Sequence, residues 1–345
     1  MDVRLSPEQQ ALRDAAARVV DQLGPHTVAQ LGDGERSKKL DAAVQAAGWR
    51  ELRVEGDDGR PWASGVETAI VAEELGRGLA DAAFVGPTLG AELRRLAGAP
   101  AATSSETVVL DASLTDLART DSASDDLAGA LAIDTAGSSD GLIGMPDGKI
   151  GKVPVEPSSA DVDLTRPSAR VISGAIAEPL AGAKRSLGAD PHRKWIALGL
   201  ALTCADLVGV MRGTVALATA YAAERRQYGV PVGSFQAVQH LLADALVATE
   251  GAASVMLHAA WAVDALAPVD ALAAGSTAKA YCARAARAVC ETSIQVHGGI
   301  GNTWECLAHV YLRRALLSID AFGGVGPSLA RVLEHHGIVG ADGLR

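Results

Sequence analysis

The sequence predicts a mostly α protein with a small β domain set into its middle. Three observations carry that prediction. Apolar residues make up 48% of the 345 positions while aromatic residues supply only 3%, so the core must come largely from Ala, Leu and Val; alanine at that density favours helix. Apolar residues at helical spacing dominate both ends of the chain. From Thr103 to Val171 they give way to short β-prone runs divided by Gly, Ser, Asp and Pro. The expected division is a helical N-terminal domain over 1–98, a reduced β domain over 99–185 and a C-terminal helical bundle over 186–345.

Ser6-Pro7-Glu8 opens the first helix, with Ser6 as N-cap, Pro7 in the first helical position and an acid in the first turn. Leu12, Ala16, Val19 and Leu23 follow at helical spacing until Gly24-Pro25. Further helices are expected over 37–47, 66–79 and about 86–96. Strands are expected at Val108-Val109-Leu110, Leu131-Ala132-Ile133, Leu142-Ile143, Val153-Pro154-Val155 and Arg170-Val171-Ile172. Asp190-Pro191 then reads as the N-cap and first position of a long helix with an apolar stripe from Ile196 to Tyr221. Two more long helices cover 236–266, stopping at Pro268, and 272–296. Asn302 with Glu305 reads as a capping box for a fourth, reaching Ile319. A short last helix spans 327–336.

A formal charge of −10 argues against nucleic acid or an anionic membrane surface as the main partner. No apolar run approaches membrane-spanning length, and Met1-Asp2-Val3-Arg4 opens no signal peptide. Cys204, Cys282, Cys290 and Cys306 lie in helical patterns without metal-ligand spacing. They read as buried thiols of a cytoplasmic protein with no metal site.

Two stretches carry chemistry. Gln295-Val296-His297-Gly298-Gly299-Ile300-Gly301 breaks two helices with glycines, where backbone amides meet a ligand without Cβ interference. Arg225-Arg226-Gln227-Tyr228-Gly229 closes the long helix with a forked cation suited to a pyrophosphate and a flat aromatic face beside it. Taken singly, the glycines are a helix stop and Arg225 a solvated helix-end cation.

In order and wording, Arg225-x-Gln227-Tyr228-Gly229, then Phe235-Gln236, then Gln295-x-x-Gly298-Gly299-x-Gly301 resembles the C-terminal domain of acyl-CoA dehydrogenases. The opening from Ser6 to Arg18, Ala47-Gly48-Trp49 and Glu73-Glu74-Leu75-Gly76-Arg77 resembles that family's N-terminal domain, so the resemblance spans the chain. It implies an acyl-CoA dehydrogenase-like fold ending in a four-helix bundle, FAD as cofactor, and a dimer of dimers. It also implies that Arg225, Gln227, Tyr228, Phe235, Gln236, Gln295, Gly298, Gly299 and Gly301 reach the ADP half of a neighbouring subunit's FAD. His297 reads as structural.

The departures are as informative. In the family a Thr-Glu-Pro and a Trp-Ile-Thr segment wall the flavin ring; neither stands between Thr103 and Val171, where there is no Trp. The family's catalytic glutamate occupies one of two places. Here they fall at Phe322, within Asp320-Ala321-Phe322-Gly323-Gly324, and near Gly199, and neither is a carboxylate. Asp320 is the fallback, although its place suits a helix end, and Asp206 lies two turns beyond Gly199, too far to substitute. No catalytic residue is therefore assigned. The pattern resembles the smaller chain of the heteromeric (α2β2) acyl-CoA dehydrogenases acting on steroid side chains. That resemblance implies a larger partner subunit holding the base, the flavin pocket and most of the acyl-CoA, with an electron-transfer flavoprotein or similar acceptor. A self-sufficient homotetramer and a non-redox acyl-CoA-binding scaffold are the alternatives.

Overall fold

The computed structural model describes residues 4–120, 127–135, 137–158 and 161–338. Met1-Asp2-Val3 and residues 339–345, at the ends of the expected domains, lie outside them. Four helices open the chain: α1 (Pro7–Leu23), α2 (Gly34–Ala46), α3 (Gly65–Arg77) and α4 (Val85–Ala97). Ser6 caps α1 in a capping box with Gln9, and Ser64 caps α3 in one with Glu67. The small domain holds β1 (Glu106–Leu110), β2 (Leu131–Ala132), β3 (Asp140–Gly144), β4 (Ile150–Pro157), β5 (Ala169–Val171) and β6 (Glu178–Pro179). Their order is β3-β1-β2-β5-β4-β6, and β3 also pairs with β4, so the sheet closes on itself. Only β1–β3 runs parallel among these pairs. Each expected apolar run lies in a strand, although Ile133 and Ile172 fall just past the ends of β2 and β5.

The bundle comprises α5 (Ala189–Glu224), α6 (Gln236–Ala265), α7 (Pro268–His297) and α8 (Ala308–Asp320), with α9 (Val325–His335) laid against α7. A hairpin, β7 (Arg226–Gln227) and β8 (Val230–Pro231), joins α5 to α6. Named contacts fix the helix directions. Thr203 meets Lys279, Thr214 meets Cys290 and Tyr221 meets His297, always 76 positions apart, so α5 and α7 run parallel. Asp206 meets Arg314 and Gly213 meets Tyr311, so α5 and α8 run antiparallel. Arg212 pairs Glu250 while Lys194 reaches the Val263 carbonyl, making α6 antiparallel to α5 as well.

The first helices are not a separate body. Helix α3 packs on α5, and a Cβ on Gly209 would overlap the Glu73 carbonyl oxygen. Buried Arg53 bonds both Glu92 of α4 and Asp264 of α6, tying the unit to the bundle. All four cysteines are free and buried.

Several boundaries depart from expectation. Gly188, not Asp190, is the N-cap of α5, and Asp190-Pro191 already lie inside its first turn. Pro268 opens α7 rather than closing α6, because proline at the first helical position sacrifices no hydrogen bond. The capping box at Asn302 does not form. Thr303 Oγ1 donates to Glu305 and to the Ile300 carbonyl within a turn, and α8 starts later, behind Leu307. Finally, three helical stretches (189–224, 236–265 and 308–335) are long and apolar enough by length and composition to cross a membrane, contrary to the sequence-based expectation. Ala and Gly dilute their hydropathy without breaking it. The apolar window of α5 is 94% buried inside the fold, that of α6 only 39%.

Candidate functional site

The two motifs meet at one end of the bundle. Arg225 is the C-cap of α5, its N–H bonded to the Tyr221 carbonyl. Tyr221 stacks on His297 at the end of α7, ring centroids 4.4 Å apart. Because α5 and α7 run parallel in constant register, their C-termini finish side by side. Arg225, Gln227, Gln236 and Gln295 are exposed, and Tyr228, at positive φ in the hairpin, is 94% exposed. Phe235 crosses its ring edge-on at 6.4 Å.

Gly298 and Gly299 form a 3₁₀ turn over 298–302, and a Cβ on either would meet nothing within 4 Å. Their main chain is therefore open to a ligand, as a phosphate or adenine edge requires. Gly301 differs: it is buried, and a Cβ there would press on the Ile294 carbonyl and the His297 side chain. It shapes the turn from within, where Gly298 and Gly299 lie open on its surface. His297 is buried and donates from Nδ1 to the Ser293 carbonyl at 2.7 Å, consistent with a structural role.

Trp304 escaped the sequence reading. It is 63% exposed beside the same turn, with the Arg313 guanidinium 5.7 Å from its ring centre. An exposed tryptophan in the polar run Asn302-Thr303-Trp304-Glu305, in a chain this poor in aromatics, was the available signal.

The two places where the resemblance puts a base touch each other and are closed. Phe322 is fully buried, and a Cβ built on Gly199 would lie 2.5 Å from its ring. Trp195 packs against that ring edge-on at 5.3 Å and is itself held by Nε1–H donation to the Leu89 carbonyl. Phe322 adopts φ 65°, a conformation costing a bulky L residue about 1–3 kcal/mol. The neighbouring bonds hold it there. Lys279 donates to the Ser318 and Ala321 carbonyls, and Arg331 donates to the Phe322 carbonyl at 2.9 Å. Desolvation pushes the Lys279 ammonium down to about 8. The adjacent cavity, between Asp134, Arg166, Thr203, Ser318 and Ala321, measures about 10 Å³, room for one water at most.

Of the nearby acids, Asp206 and Asp134 are committed elsewhere and Asp320 is exposed. Asp320 ends α8, as its position suggested. Asp206 pairs with Arg314 at 2.8 Å and Arg166 at 3.2 Å and accepts from Ser318. Burial would raise its pKa, but the two guanidiniums hold it below the ordinary carboxylate range. Asp134 accepts from the Phe84 and Val85 N–H groups at the start of α4, and burial raises its pKa. A 730 Å³ cleft between α2, α4 and residues 99–106 lies elsewhere, and its Arg50 and Arg94 are spent on Asp41 and Glu106. Among the described residues no group of His, Cys, Asp and Glu could hold a metal.

Comparison with known proteins agrees with this anatomy. Residues 195–325 match the family described as acyl-CoA dehydrogenase, C-terminal domain. The chain is 32% identical over 256 residues to "Acyl-CoA dehydrogenase IpdE2" of Mycobacterium tuberculosis, covering 72% of this chain and 71% of that protein. Against another curated relative, 42% identical over 135 residues, the match spans only 19% of the relative's length. Among solved structures, a variant of the Tcur3481-Tcur3483 steroid ACAD superposes with a TM-score of 0.79 at 20% identity, covering 96% of this chain and 98% of that one. The ChsE4-ChsE5 complex from Mycobacterium tuberculosis gives 0.74 at 22% identity, covering 99% and 100%. At such identities the superpositions speak to the fold, and the relative matched over most of both lengths settles the kinship. The chain belongs to the acyl-CoA dehydrogenase family.

Proposed function

We propose that this chain is the smaller subunit of a heteromeric, FAD-dependent acyl-CoA dehydrogenase. In this reading it supplies contacts to the ADP half of FAD while a larger partner holds the flavin ring and the base. One observation carries the proposal: Phe322 and Gly199, the two base positions, are non-acidic and in mutual contact, while Gly298, Gly299 and Arg225 stand open at the far end of α5. FAD when bound supplies the hydride acceptor for Cα–Cβ desaturation of a CoA thioester. The chain's own residues divide into those fit to hold the nucleotide and those that shut the place where a proton would be taken. Arg225 offers a fork for the pyrophosphate, Gln295 an amide, and the turn at Gly298-Gly299 its bare main chain.

An apolar groove of 600 Å³ lined by Ala248, Tyr281, Leu329 and Val332, next to exposed Leu246 and Val247, supports an assembly of several chains. The likeness to a steroid ACAD and to the ChsE4-ChsE5 complex supports a two-subunit enzyme acting on a steroid thioester. The reading is completed by an α2β2 arrangement, a side-chain substrate, an electron-transfer flavoprotein or similar acceptor, and a place in the cytoplasm.

The test is steady-state dehydrogenation by the co-expressed complex, with flavin content measured for each variant. Asp320→Asn should keep turnover within a few-fold of wild type, and the large loss should follow mutation of a carboxylate in the partner. A fall of about 10³-fold in Asp320→Asn, with full flavin and intact assembly, would place the base in this chain and favour the self-sufficient homotetramer.

A further inference from the structure

His297 is gripped from four directions at once. The Tyr221 ring of α5 stacks on it at 4.4 Å, with 28° between the planes. One turn back on its own helix, the Ser293 carbonyl takes its Nδ1–H. The Cys306 thiol, just ahead of α8, hydrogen-bonds its ring, and Cys306 Sγ also accepts the Ala308 N–H at 3.5 Å. Over the top the turn folds back so closely that a Cβ on Gly301 would lie 3.1 Å from the His297 Cβ. One side chain thus joins the ends of α5 and α7 to the start of α8.

We infer that His297 is a positioning residue for the nucleotide surface, the clasp that fixes the Gly298–Gly301 turn relative to Arg225. This rests on the function proposed above. The path to the cation is short, since the Arg225 N–H bonds the carbonyl of the same Tyr221 that stacks on His297. The path to the turn is shorter, because Gly298 follows His297 and its N–H bonds the Gln295 and Ile294 carbonyls. The other anchorage is backbone: the Arg225 carbonyl accepts from the Val232 N–H at 2.7 Å, and the Thr303 N–H bonds the Ile300 carbonyl at 3.0 Å. Arg225, Gln295, Gly298 and Gly299 are all exposed, and no Cβ contact restrains the two glycines.

The groups facing the imidazole agree with a hydrogen-bonded clasp. Burial opposes its charge, but the Cys306 and Ser293 bonds outweigh burial and hold its pKa above the ordinary value. His297 in turn holds the Cys306 thiol below its ordinary value against burial. Cys290, buried at the α5–α7 contact without a histidine, is pushed up to about 12.

Amide hydrogen exchange on the full chain and FAD retention by the co-expressed complex test the inference together. His297→Phe keeps a ring on Tyr221 but loses both nitrogens. It should speed exchange of the Gly298 and Thr303 amides about tenfold while leaving the middle of α5 unchanged. FAD affinity should fall about tenfold as well, and little further when Arg225 is already Ala, because coupled residues fail to add. Cys306→Ser should stay near wild type and Cys306→Val should follow His297→Phe. Unchanged exchange in His297→Phe, or effects of His297→Phe and Arg225→Ala that simply add, would overturn the inference. Unchanged FAD affinity in Arg225→Ala overturns the nucleotide assignment itself. Unchanged affinity in His297→Phe beside a weakened Arg225→Ala overturns the clasp alone.

Discussion

Arg225 caps α5 with an extended backbone (φ −65°, ψ 125°), so its side chain leaves the helix axis instead of folding back on the last carbonyls. A pyrophosphate paired with it in a closed interface would be a desolvated charge pair, and truncating one side of such a pair costs about 2–5 kcal/mol. Arg225→Ala should therefore weaken FAD retention by the complex, measured by flavin release during dilution. Arg225→Lys should recover only part, because an ammonium lacks the fork. Asp206 calls for a different expectation than its distance from Gly199 suggested. It stands among Arg166, Arg314 and Ser318, and removing its charge leaves buried Arg314 without a carboxylate while Arg166 keeps Asp163, a loss of about 3–5 kcal/mol. Its folded pKa lies below the unfolded one. Its stabilisation is thus complete above the ordinary carboxylate range and is lost as pH falls through the folded value. Urea melts between pH 3 and 7 should show Asp206→Asn destabilised at neutral pH, with the gap to wild type narrowing in acid.

At the scale of elements, α3 lies against α5 closely enough that Gly209 is nearly touched by the Glu73 carbonyl. Gly209→Ala should cost about 3 kcal/mol through overpacking, read as a lower urea midpoint at unchanged slope. The strands and the long helices were legible because their signals are local: a β-branched run between turns, or an apolar stripe such as Ile196 to Tyr221. Ends were less legible where one residue serves two purposes. Pro268 fits the stop of one helix and the start of the next equally well, and only packing decides. Asn302 and Glu305 have the spacing of a capping box, yet Thr303 claims Glu305 first. At the site, the exposed chemistry of Arg225, Gln295, Gly298 and Gly299 showed in the sequence. The inward face of Gly301 and the contact of Phe322 with Gly199 depend on residues distant in sequence and did not.

Across the whole molecule, the end carrying Arg225, Gly298 and Gly299 and the apolar groove over Ala248, Tyr281 and Leu329 are surfaces a lone chain leaves to water. Alone it should be colourless or poorly soluble. The closed Phe322–Gly199 contact and the open turn at Gly298-Gly299 together imply half a flavin site per chain. The most direct measurement is the ratio of FAD to protein, by absorbance and amino-acid analysis, in the chain purified alone and with its larger partner. The account predicts no FAD in the first and about one FAD per heterodimer in the second. A yellow homotetramer of this chain alone, with one FAD per chain, would contradict it.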